Sequence, residues 1–255
     1  MAIIKNDIPI LEYDDCQTAV LNPDCRDIDI KLPERAVFAF LADLVDRYAL
    51  SHNAVKVYEY ETITKNFPVY ILNHNGEEIC LCQAPLGGSA AVQILDWMIC
   101  YGVKKVIATG SCGALIDFEE NTFLVPKKAL RDEGASYHYL PPSRFVEIDS
   151  AVLDAIKSTL ESKNYAYTEC VTWTTDGFYR ETKEKVNYRK QEGCTVVDME
   201  CASMAACAQF RGAKFGQILF TADTLADVES YDERDWGVKS FEKALELALD
   251  TALAL

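Results

Sequence analysis

The sequence predicts a single α/β domain on a mixed, mostly parallel sheet, and three observations predict it. β-branched apolar runs alternate along the chain with segments whose apolar residues recur at helical spacing. The 255 residues, 49% of them hydrophobic, suffice to bury one large core. No linker, internal repeat or low-complexity tract interrupts the alternation, so residues 1–255 read as one domain.

After an irregular start, a first helix is expected over 32–48, where apolar residues keep helical spacing and Pro33 suits a first turn. Strands over 55–60, 69–72 and 79–84 read as a meander, with a turn at 73–77. Gly87 and Gly88 open a helix over 90–101, Gly102 ends it, and a strand over 105–109 completes a βαβ unit. A strand near 122–125, a helix over 150–163, a strand over 167–173 and a helix over 181–192 continue the alternation. A strand over 194–197, a small-residue helix over 200–210 and a strand over 214–222 then lead into a last helix over 238–253.

Charge and composition narrow the function. A net charge of −15 disfavours nucleic acid and anionic membranes, both of which are bound through basic surface. No run approaches the ~20 apolar residues that span a bilayer, and residues 1–11 lack a signal-peptide pattern, so a cytoplasmic protein is expected. The ten cysteines sit mostly in apolar elements and read as reduced core thiols. With three histidines (His52, His74, His138) and no CxxC pair, no metal site is expected.

Four strand ends carry chemistry. The acidic residue Glu200 stands where the apolar strand 194–197 gives way to a helix, the edge at which open α/β sheets bind small ligands. The competing reading is a first-turn acid favoured by the helix dipole. Thr109-Gly110-Ser111-Cys112-Gly113-Ala114 follows a strand, and its glycines and the Ser111 hydroxyl suit an oxyanion, although neither the Walker nor the dinucleotide pattern is present. Cys112 has no histidine nearby in sequence and reads as a structural thiol before a nucleophile. Asp223 ends the strand from Phe215 and emerges beside Glu200 if the two strands are parallel neighbours; its competing role is a turn cap. Phe178, after the strand 167–173, is placed to stack on a flat ligand or simply to pack in the core. Together these features suggest a sugar, a flat base and an oxyanion.

With these residues in view, the chain resembles the nucleoside phosphorylase family, which includes hexameric-type purine nucleoside phosphorylase, uridine phosphorylase and related nucleosidases. Gly110-Ser111-Cys112-Gly113-Ala114 is similar to the family's phosphate segment, and Asp198-Met199-Glu200 to its Glu-Met-Glu ribose motif. Asp176 to Tyr179 and Gly134 to His138 resemble two further family segments. The resemblance implies a three-layer α/β/α sandwich, a homo-oligomer (a dimer or trimer of dimers), and cleavage of a nucleoside with inorganic phosphate as co-substrate and no cofactor. Residue by residue it implies Glu200 on the ribose hydroxyls, Met199 against the sugar and Phe178 against the base. Gly110, Ser111 and Arg26 would hold phosphate, and Asp223 would protonate or hydrogen-bond purine N7 as general acid. Positive charge develops on the sugar during glycosidic cleavage, so an anion beneath the ring would stabilise it.

The chain also departs from the family. Ala108 stands where phosphorylases carry an arginine two residues before the first glycine, and the Gly-Asp-Pro-x-Arg element has only a distorted counterpart in Asn22 to Arg26. The arginine donated between subunits has no match around Tyr58 to Thr62, nor has the N-terminal histidine in residues 1–11. Thr182 and Glu184 replace the glutamine and arginine that hold uracil, so a purine nucleoside is expected, with a nucleosidase, a uridine-type phosphorylase or a non-catalytic nucleoside-binding protein as alternatives.

Overall fold

In the computed structural model, residues 3–24 and 28–255 are described. The chain runs β1 (Arg35–Phe40), α1 (Leu44–Ser51), then the meander β2 (Val55–Glu61), β3 (Asn66–His74) and β4 (Glu77–Gln83). Helix α2 (Gly88–Cys100), β5 (Lys105–Ala114), β6 (Phe123–Asp132), β7 (Phe145–Glu147), α3 (Ser150–Ser162) and β8 (Tyr167–Thr175) follow. The last third holds α4 (Lys183–Gln191), β9 (Val196–Asp198), α5 (Cys201–Phe210), β10 (Lys214–Thr224) and α6 (Phe241–Ala254).

One mixed sheet organises the fold. β1 lies parallel to both β4 and β5, and β5 is parallel to β10. The sheet is sandwiched: α2 and α5 pack on the face that carries Ala36 and Phe38 of β1, while α1, α3 and α6 pack on the face that carries Val37 and Ala39. This is the expected three-layer arrangement. Among the described residues, no helix is long and apolar enough to cross a membrane.

Beyond the open part of the sheet, the far ends of β5 and β10 close a small barrel. β10 pairs antiparallel with β6, β6 parallel with β8, β8 parallel with β9, and β9 antiparallel with β5. Each of these five strands sends a residue into a common buried cluster: Cys112, Leu124, Cys170, Val196 and Leu219. Cys112 is therefore a packing residue of the barrel interior. All nine described cysteines are free thiols.

Several elements depart from the expected ones. The helix expected over 32–48 is instead the strand β1 followed by the short α1, and Pro33 lies ahead of the strand. A strand buried on both faces is a continuous apolar run, and over six residues such a run also satisfies a helical pattern. The segment Thr109 to Ala114 is not a loop: β5 continues through it, with Gly113 paired to Val197 and Thr221 to Cys112. β6 extends well past the expected 122–125. The last helix is preceded by a 3-10 turn, Val238–Ser240. Finally, β9 and β10 are not neighbours; they flank β5 from opposite sides and run antiparallel to each other.

Candidate active site

A cavity of about 450 Å³ opens where β5 and β10 leave the open part of the sheet for the barrel. It collects Gly110, Ser111, Phe178, Met199, Glu200 and Asp223, residues from four separate stretches of sequence. Its size and mixed lining suit a small organic ligand.

Glu200 is the N-cap residue of α5, yet its side chain does not cap that helix. Asp198 does so instead, accepting the Glu200 and Cys201 amides at 2.8 and 2.6 Å and the hydroxyls of Thr172 and Thr174 at 2.8 Å each. The first-turn-acid role thus falls mainly to Asp198, and the Glu200 carboxylate is left to face the cavity. There it accepts the backbone N–H of Gly87, the N-cap of α2, at 2.6 Å. Gly87 has φ +92°, a left-handed conformation that glycine adopts without strain and that aims this N–H at the carboxylate. Burial raises the Glu200 carboxyl to about 8, with the nearby Asp198 charge adding to it and the Gly87 N–H opposing it.

Asp223 approaches from the other side of β5. A side-chain carbon at Gly113 would meet Val197 Cγ1 at 2.9 Å and Asp223 Oδ1 at 3.2 Å, so the bare Gly113 backbone is what lets both flanking strands close on this point. Barrel closure therefore does what a parallel pairing of β9 and β10 was expected to do. Burial raises the Asp223 carboxyl above its ordinary value, against hydrogen bonding from Tyr231 and the charge of Arg234. A carboxyl that burial shifts toward its protonated form is shifted in the direction that proton donation to a leaving group requires.

Phe178 sits in the 3-10 turn Phe178–Arg180, which Gly177 ties back to Thr175 Oγ1 at 3.2 Å. It is 40% exposed at the cavity mouth, so core packing does not account for it. The neighbouring Asp176 accepts the Gly134 N–H at 2.8 Å, which joins the two other segments singled out in the sequence. Met199 is half-buried in the lining, and Ser111 is open to the cavity. Cys112 is held as a neutral thiol by burial and its Sγ lies 3.5 Å from the Phe220 carbonyl, which removes it as a nucleophile.

Arg26 lies outside the described residues. Its described neighbours Asn22 and Pro23 line a separate recess with Tyr58, Asp96 and Trp97. The wall beside Gly110 is formed by Phe40, whose strand pairs with it directly. Among the described residues, no Arg, Lys or His lines the cavity, whereas Glu181, Asp198, Glu200 and Asp223 all do.

Five lining residues escaped the sequence reading: Phe40, Leu86, Glu181, Gln217 and Trp236. Burial and the Asp223 charge push Glu181 up to about 7. Gln217 had a visible signal, a lone amide within the apolar strand 215–222, and Glu181 directly follows the aromatic turn.

This fold, with an acid-lined cavity at the sheet–barrel junction, is shared with nucleoside-cleaving enzymes of known structure. Residues 35–254 match the family model described as Phosphorylase superfamily, and the chain belongs to that family. It is 24% identical over 204 residues to a protein named guanosine phosphorylase from Halorubrum lacusprofundi, covering 76% of this chain and 85% of that one. Among solved structures it is similar to purine nucleoside phosphorylase from Toxoplasma gondii in complex with immucillin-H, with a TM-score of 0.74, 17% identity, and 92% and 94% of the two chains covered. It is also similar to AMP nucleosidase from Bacteroides thetaiotaomicron, with a TM-score of 0.71, 22% identity, and 88% and 89% covered.

Proposed function

We propose that this chain cleaves the N-glycosidic bond of a purine nucleoside and releases the free base. The observation that carries this reading is the placement of Glu200 and Asp223 around one cavity, with Phe178 at its mouth. Glu200 accepts the ribose hydroxyls, and Met199 packs on the sugar. Phe178 contacts the base, while Asp223 donates a proton to N7 as the bond to the base breaks. No cofactor or metal takes part. A cytoplasmic location and assembly into a dimer or trimer of dimers belong to the same proposal, and light scattering tests the assembly.

Two acceptors are open to the sugar. Sequence similarity to a guanosine phosphorylase supports phosphorolysis to (deoxy)ribose 1-phosphate, with Gly110, Ser111 and Arg26 as phosphate ligands. Hydrolysis is favoured by Ala108 in place of an arginine and by a described lining with no cation. Incubation with adenosine, guanosine, inosine and uridine, with and without phosphate, tests the reading by base release. Release from the purine nucleosides is expected; release from uridine alone contradicts it.

A further inference from the structure

We propose that Gln217 holds the attacking nucleophile at the anomeric carbon and that this nucleophile is water. The inference rests on the N-glycosidic reading above.

Gln217 on β10 is the direct neighbour of Ala108 on β5 in the parallel register. Side chains of directly paired residues lie on the same face of a sheet, so the amide stands beside the position where the family resemblance calls for an arginine. Gln217 is only 1% exposed and lines the cavity together with Gly110 and Ser111. Its Oε1 is buried and has no hydrogen-bond partner. A buried amide oxygen is rarely left in that state, and on a residue of the cavity lining it calls for a donor that reaches it from the cavity. Of the described buried side-chain atoms in this condition, it alone belongs to a residue of the cavity lining.

The donor's chemistry follows from the surroundings. Phe40 and Leu86 add apolar surface, and among the described residues the lining holds the acidic side chains Glu181, Asp198, Glu200 and Asp223 and no basic one. A phosphate dianion entering there would find, among the described residues, only acidic side chains and a neutral amide where a cation is needed. Water satisfies the site: it donates one hydrogen to Gln217 Oε1 and turns a lone pair toward C1′. In the reaction the water oxygen bonds to C1′ while the bond from C1′ to the base breaks. The bonding pair leaves with the base, and N7 takes the proton from Asp223. The proton lost by the water returns through solvent to the Asp223 carboxylate, so nucleoside and water give free base and free sugar.

The test measures base release and the sugar product from a panel of purine nucleosides, with and without inorganic phosphate, for the wild type, Gln217→Leu and Gln217→Glu. The wild type is expected to give free ribose at a rate that phosphate leaves within about twofold. Gln217→Leu keeps the size but removes the acceptor, and is expected to lower kcat about 100-fold with KM changed less than about threefold. Gln217→Glu restores an acceptor and is expected to recover activity to within about tenfold of the wild type, which a merely structural role would not predict. Melting temperatures establish that the variants are folded, and the phosphate arm on the wild type needs no variant. Phosphate-dependent formation of ribose 1-phosphate overturns the water assignment and leaves the N-glycosidic reading intact. Hydrolysis undiminished in Gln217→Leu overturns the role of Gln217. No base release under any condition removes the reading on which the proposal rests, and the proposal with it.

Discussion

The Gly87 backbone N–H donates to Glu200 Oε1 at 2.6 Å, so the N-terminal end of α2 fixes the carboxylate that opens α5. Two helices on one face of the sheet are thereby joined at the cavity. Glu200→Gln is expected to raise KM for nucleosides about fivefold, the scale of one neutral hydrogen bond of about 1 kcal/mol. Steady-state kinetics checks this, and an unchanged KM removes Glu200 from sugar recognition.

Asp223 is assigned the proton. Asp223→Asn retains the shape of the side chain and loses the acid, so kcat is expected to fall between about 100-fold and 10,000-fold. KM is expected to move far less. Turnover equal to that of the wild type would sink the assignment.

Gly113 sets the distance between the two sides of the site. In Gly113→Ala the new methyl meets Val197 Cγ1 and Leu225 Cδ1 at 2.9 and 3.1 Å as well as Asp223 Oδ1. Overpacking of this kind costs about 1–3 kcal/mol, and displacement of an acid by a fraction of an ångström reduces rate strongly. The variant is expected to melt several degrees lower and to lose at least about tenfold in kcat/KM. Retention of both values contradicts the close approach.

The Glu200 carboxyl also leaves a mark on stability. It titrates at about 8 in the folded protein against an ordinary 4.5, so the folded state holds this proton more tightly than the unfolded state does. Stability from this group is therefore present below pH 4.5 and is lost as the pH rises toward 8. Glu181, raised to about 7, acts in the same sense. Melting temperature is expected to fall over this range more steeply in the wild type than in Glu200→Gln. Parallel curves for the two proteins would show that Glu200 titrates normally.

The sequence made α2, α3, α5 and the ligand-bearing edge at Glu200 legible, because each shows local periodicity or a sharp change from apolar strand to small-residue helix. β1 was misread because burial on both faces erased the alternation that marks a half-exposed strand. The meeting of Asp223 with Glu200 was anticipated through the wrong pairing: what brings them together is closure of the barrel around β5, a long-range register that no local pattern encodes. Gln217 went unread for the same reason, since its meaning depends on standing beside Ala108, 109 positions earlier. Phe40 and Trp236 reach the cavity from a strand mistaken for helix and from a loop without regular structure.

The central claim is cleavage of a purine nucleoside with Asp223 as the proton donor, and the most direct measurement is base release from inosine, adenosine and guanosine by the wild type and Asp223→Asn, with uridine as the control substrate. The account predicts purine release by the wild type, release at least about 100-fold slower in the variant, and little or none from uridine. Purine release unaffected in Asp223→Asn, or a wild type that cleaves uridine and no purine nucleoside, contradicts it.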